Sequence, residues 1–138
     1  MKPTHIIIHH SLTEDGKTVS WDQIRWYHTQ TNGWNDIGYN AGIELIGTRY
    51  EILIGRMLTE PGAHTVGMNN SSIGICCVGN FDLAPPPPAQ LDLLIRFTQS
   101  MMTIFNIPTG NVRRHADYAP KSCPGKLFPW ANFIGRLI

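Results

Sequence analysis

The stretch Ile6-Ile7-Ile8-His9-His10-Ser11 decides how this chain is read. Three consecutive β-branched residues make a short, continuous apolar run, the pattern of a strand covered on both faces rather than one with a wet side. Two histidines follow directly, so the strand, taken as Thr4 to His9, delivers polar side chains at its carboxyl end. Adjacent residues of a strand point to opposite faces, and His9 and His10 therefore cannot both reach one ion on one face.

A second buried strand is expected at Ser72 to Val78. Its neighbours Cys76 and Cys77 should be packed thiols on opposite faces rather than a disulfide. Tyr39 to Ile46 and Arg49 to Ile54 read as a hairpin around Gly47-Thr48. Ser20 and Gln23 form a capping-box signature ahead of a helix reaching about Thr31, with Ile24 and His28 on one side and Asn32-Gly33 as its stop.

By composition, Pro85 to Pro88 fit a polyproline motif or an interdomain linker. A boundary there would separate His9 from His115 and Cys123, the candidate ligands discussed below. Pro88 is therefore read as the start of a helix over Ala89 to Phe105, on which Leu91, Leu94, Ile95, Thr98 and Met102 keep helical spacing. A short strand at Asn111 to Arg114 and a last helix around Pro129 to Leu137 complete the order. This is an α/β pattern: one domain, residues 1–138, with a central mixed β-sheet flanked by about three helices and a cleft at one edge.

At 138 residues the chain suits one domain and is short for two. A formal net charge of +1, with no Lys/Arg run longer than Arg113-Arg114, provides no electrostatic footprint for nucleic acid. No apolar run approaches the roughly 20 residues of a membrane span, and Met1 is not followed by a charged region and an apolar signal core. The expectation is a monomer made in a cytoplasm, with no membrane insertion.

His9, His115 and Cys123 stand out as a possible metal set. A catalytic zinc site commonly takes three protein ligands and leaves a fourth position open, which a His/His/Cys trio satisfies. His115 and Cys123 share a Pro/Gly-rich stretch, Arg114 to Gly125, that reads as a loop able to bend both onto one ion. The spacings match no short zinc signature, and each residue has a plain alternative: a hydrogen-bonded strand-end histidine, a small buried thiol. Asp117 fits either an acceptor that orients an imidazole or a turn residue. His5, His10 and His28 are assigned structural or surface roles, and Trp34 and Trp130 would offer sugar-stacking faces if exposed.

Several blocks in order resemble one known family. They are Ile6-Ile7-Ile8-His9-His10-Ser11, Gly33-Trp34-Asn35-Asp36-Ile37-Gly38-Tyr39-Asn40, Gly62-Ala63-His64-Thr65-Val66-Gly67-Met68-Asn69, Ser72-Ile73-Gly74-Ile75 and Lys121-Ser122-Cys123-Pro124-Gly125. The chain is similar to the zinc amidases that include bacteriophage T7 lysozyme and the animal peptidoglycan recognition proteins. The resemblance implies their fold, one Zn2+ per chain, and hydrolysis of the amide between N-acetylmuramic acid and L-alanine in peptidoglycan. It places the zinc ligands on His9, His115 and Cys123, catalytic groups on Tyr39 and Lys121, and a substrate-binding groove position on His64.

The resemblance also implies a phage or prophage endolysin acting on peptidoglycan in the periplasm or cell wall. Two alternatives belong to the same family: a non-catalytic peptidoglycan-binding module, against which Cys123 argues, and a regulator of a phage RNA polymerase, against which the short stretch ahead of His9 argues. No counterpart to the animal proteins' disulfide is evident. Ile46 stands where the family often has an acidic residue before the turn glycine, which leaves the hairpin's turn type open.

Overall fold

The computed structural model describes residues 1–13 and 20–138. Its strands β1 (His5–His10), β2 (Ala41–Ile46), β3 (Arg49–Ile54), β4 (Ser72–Cys77) and β5 (Val112–Arg114) form one sheet in the order β3-β2-β4-β1-β5. β1 runs parallel to both β4 and β5, β2 is parallel to β4, and only the β2–β3 hairpin is antiparallel. The sheet is therefore mixed, as expected.

Ile6, Ile7 and Ile8 are fully buried, which bears out the two-sided reading of β1. Alternation divides the core. Ile6 and Ile8 join Ile73, Ile75 and Cys77 on the face covered by α2 (Pro88–Phe105) and α3 (Trp130–Gly135). Cys76 packs on the other face with Trp21 and Ile24 of α1 (Trp21–Trp26). All three cysteines are buried thiols outside any disulfide, and Cys76 and Cys77 lie on opposite faces.

Local signals are realised with small shifts. The Ser20 hydroxyl accepts from Gln23 N–H and the Gln23 side chain accepts from Ser20 N–H, so the capping box is present. The first helix stays α only to Trp26 and continues as a π-helical turn over Tyr27–Thr31. There Thr29 Oγ1 donates back to the Arg25 carbonyl at 2.9 Å, and Asn32 N–H reaches Tyr27 O, five residues earlier. Gly47, at φ 63°, is the first of two central turn residues between paired Ile46 and Arg49, as a type II′ hairpin requires. Tyr39 precedes β2 rather than lying within it, and Asn40 beside it uses its side chain to bind Gly74 N–H, Met57 O and Glu60 O.

Among the described residues, no helix is long and apolar enough to cross a membrane.

Candidate metal centre

The parallel pairing of β1 with β5 sets Ile8 opposite Arg114, so the next residues, His9 and His115, lie side by side at the carboxyl ends of these strands. Their ring centroids are 4.6 Å apart. In open α/β sheets this end of the strands is where ligand clefts form. His115 opens a 3-10 turn, His115–Asp117, and the chain returns through Ala116 N–H to Cys123 O at 2.9 Å. That bond closes the loop and brings Cys123 beneath His9.

His9 Nδ1 lies 3.7 Å from Cys123 Sγ, and the ligand atoms of His9, His115 and Cys123 all fall within 4.8 Å of one another. Tetrahedral zinc, with Zn–N near 2.0 Å and Zn–S near 2.3 Å, separates its N and S donors by about 3.5 Å. The His9–Cys123 separation lies close to that spacing, and the three side chains form a group that could hold one metal ion.

Burial tunes these groups. Desolvation, followed by the neighbouring charges of His64, His115, His10 and Lys121, holds the His9 imidazole well below its usual range. His115 is lowered by desolvation and by Lys121. Both rings are thus neutral at neutral pH. Burial pushes the Cys123 thiol up to about 11, against the opposing pull of His10 N–H and Lys121. A metal must therefore displace a proton from Cys123 to bind it.

His10 points the other way. Its Nδ1 accepts Phe81 N–H at 3.1 Å, its Nε2 donates to Ser122 O at 2.7 Å, and its own N–H points to Cys123 Sγ at 3.4 Å. Asp82 adds a second tie, accepting from Ser122 Oγ and from Lys126 N–H. The structural role expected of His10 is that of a clamp on the loop carrying Cys123. Sequence reasoning did not single out Asp82, whose partners lie some forty residues away in the chain.

The other expected site residues line the same cleft, of about 490 Å³. Tyr39 sits with its ring 5.2 Å from His9 and its hydroxyl beside the Cys76 thiol. Desolvation raises the phenol well above its ordinary range, so it keeps its proton. Lys121 is exposed on the rim. Its ammonium sits close enough to influence His9, His115 and Cys123. His64 contributes to the wall but is buried, its Nδ1 3.0 Å from His9 Nε2, and burial lowers it to about 4.

Trp34 stands half-open on the cleft beside His28, whose Nδ1 accepts Gly38 N–H. Trp130 instead packs against Phe128 and Phe133 with Arg114 over its face, away from the cleft. Asp117 accepts from Arg114 N–H and pairs with its guanidinium at 2.8 Å, the turn role. Cys76 was missed as Tyr39's partner: its signal is the register that sets it opposite His9, which only strand pairing reveals.

Fold and cleft together define an α/β protein that gathers a His/His/Cys group able to hold a metal ion at the carboxyl ends of its parallel strands. The chain belongs to the N-acetylmuramoyl-L-alanine amidase family, whose model matches residues 1–126. It is 35% identical over 125 residues to the endolysin of Enterobacteria phage T3, covering 86% of this chain and 78% of the relative. Among solved structures it is similar to the N-acetylmuramoyl-L-alanine amidase LysC from Clostridium intestinale, with TM-score 0.87, 32% identity, and 99% and 85% of the two chains covered. It is also similar to Drosophila PGRP-LB, with TM-score 0.80, 29% identity, and 96% and 81% covered.

Proposed function

We propose that this chain is a zinc-dependent amidase that cleaves the bond between N-acetylmuramic acid and L-alanine in peptidoglycan, in the manner of an endolysin. The observation that carries the reading is the convergence of His9, His115 and Cys123 within one cleft that also holds Tyr39 and Lys121. Endolysins among the relatives, and PGRP-LB and PGRP-LE structures solved with tracheal cytotoxin, support a muramyl peptide as the ligand class.

His9 Nδ1, the His115 imidazole and the Cys123 thiolate would hold one zinc ion. When bound, zinc supplies Lewis acidity and an acidified water to attack an otherwise poor electrophile. The thiolate lowers the site's net charge from +2 to about +1, which weakens that acidification and makes cationic help from the chain useful. Lys121 provides it: its ammonium, on the rim beside the ligand loop, stabilises negative charge developing on the scissile carbonyl oxygen. Tyr39, held protonated by burial, donates a hydrogen bond to that oxygen rather than acting as a base. Trp34, on the open side of the cleft, offers an apolar face for the sugar.

Mass spectrometry of purified peptidoglycan digested by the zinc-loaded protein tests this directly. Intact stem peptides with a free L-alanine amino terminus are the expected products. Fragments cut between sugars, or no cleavage beside tight binding, would overturn it in favour of a glycosidase or a binding module.

A further inference from the structure

His64 is held in a pocket built for its ring. A Cβ on Gly62 would come within 2.5 Å of His64 Cδ2, and one on Gly74 within 2.5 Å of both Cδ2 and Cγ. The imidazole is thus slotted between two glycines, one on its own loop and one on β4. Asn69 Oδ1 accepts both His64 N–H and Thr65 N–H, at 2.8 and 2.9 Å, and pins the loop that presents the ring. The block Gly62-Ala63-His64-Thr65-Val66-Gly67-Met68-Asn69 is therefore a mount for one side chain.

The ring reaches inward rather than across the cleft. His64 Nδ1 is 3.0 Å from His9 Nε2, Thr65 Oγ1 lies 3.0 Å from the same Nδ1 and 3.3 Å from His9 Nε2, and the two rings meet edge to face. On its far side, His64 Nε2 faces Ser72 Oγ at 3.5 Å, and that hydroxyl donates to Met68 O at 2.7 Å. Because Ser72 spends its proton on Met68, its lone pairs face His64 Nε2, which is then the protonated nitrogen. His64 Nδ1 is left as an acceptor. On this assignment the His9 proton belongs on Nε2, donated to His64 Nδ1 directly or through the Thr65 hydroxyl, which leaves the His9 Nδ1 lone pair on the side of Cys123.

From this geometry we infer that His64 is a positioning residue for the metal site, setting the tautomer and ring orientation of His9 through Nε2, rather than primarily a substrate contact. The inference rests on the zinc reading above. Ligating histidines commonly donate their second ring N–H to such a partner, and loss of the partner typically costs 10- to 100-fold in metal affinity.

Competition with a chromophoric chelator measures zinc affinity in the wild type, His64→Phe and His64→Asn. Phe keeps a ring but offers no acceptor, whereas Asn Oδ1 falls near the place of His Nδ1. The zinc dissociation constant should rise about 10- to 100-fold in His64→Phe and recover most of that loss in His64→Asn. Binding of a muramyl tripeptide by the metal-free proteins should change by less than about twofold. Nitrogen-15 spectra of the zinc-loaded wild type provide a readout that needs no variant to fold: His9 protonated at Nε2, His64 protonated at Nε2 and bare at Nδ1. Unchanged zinc affinity with weakened muramyl peptide binding in His64→Phe, no recovery in His64→Asn, or a His64 proton on Nδ1 would each overturn the inference. A wild type that takes up no zinc would instead fail the functional reading beneath it.

Discussion

His9 and His10 are neighbours on one strand, almost equally buried, and do opposite work. The His9 side of the sheet ends in an open cleft where its Nδ1 faces Cys123 and its Nε2 faces His64. His10 also touches this cleft, but both of its ring nitrogens are occupied by backbone groups of Phe81 and Ser122. One residue of strand alternation thus separates a proposed metal ligand from a clamp. The ligand needs a free lone pair and neighbours that leave it neutral, and the clamp needs none of its polarity left over.

The largest effect should come from removing a ligand. Cys123→Ser is expected to abolish amide cleavage, by at least about 1000-fold in kcat/KM, together with zinc binding. Stem-peptide release and zinc content, measured on the same preparation, check both. Next come the groups on the cleft side that do not hold metal. Lys121→Ala and Tyr39→Phe should each lower kcat by about 10- to 1000-fold with zinc still bound at one ion per chain. Loss of the metal from either would show a structural role instead.

On the clamp side, His10→Ala removes no proposed ligand but leaves Phe81 N–H and Ser122 O without their buried partner. It should destabilise the fold by about 2–4 kcal/mol in denaturant melts and weaken zinc binding by roughly tenfold, because the loop holding Cys123 loosens. A variant with wild-type stability would break the contrast between the two faces.

The mildest expectation concerns protons. With His9 and His115 lowered and Cys123 raised to about 11, the metal-free site at neutral pH carries neutral rings and a protonated thiol. Zinc binding should then release about one proton per chain, and affinity should rise on the order of tenfold per pH unit from about pH 7 until the thiol titrates. Calorimetry in buffers of different ionisation enthalpy counts that proton. Release of none would mean the thiol is already ionised.

Much of the fold was legible because its signals are local. The Ile6-Ile7-Ile8 run, the Ser20/Gln23 box, the Gly47-Thr48 turn and the Pro88 helix start each depend on a few consecutive residues. The π-helical turn was not, since the residue periodicity of Tyr27–Thr31 is the same for an α-helical continuation. For the site, alternation showed that only one of His9 and His10 could face a given ion, and the resemblance chose His9. What lay hidden was everything that strand pairing creates. Cys76 under Tyr39, Asp82 on Ser122 and His64 behind His9 join segments with no sequence proximity, so spacing carries no trace of them.

The zinc content of His9→Ala beside that of His10→Ala tests the central claim most directly. Each protein is saturated with zinc, freed of excess by gel filtration, and assayed by elemental analysis. The account predicts about one ion per chain in the wild type and in His10→Ala, and essentially none in His9→Ala. Retention of zinc by His9→Ala with loss from His10→Ala would contradict it.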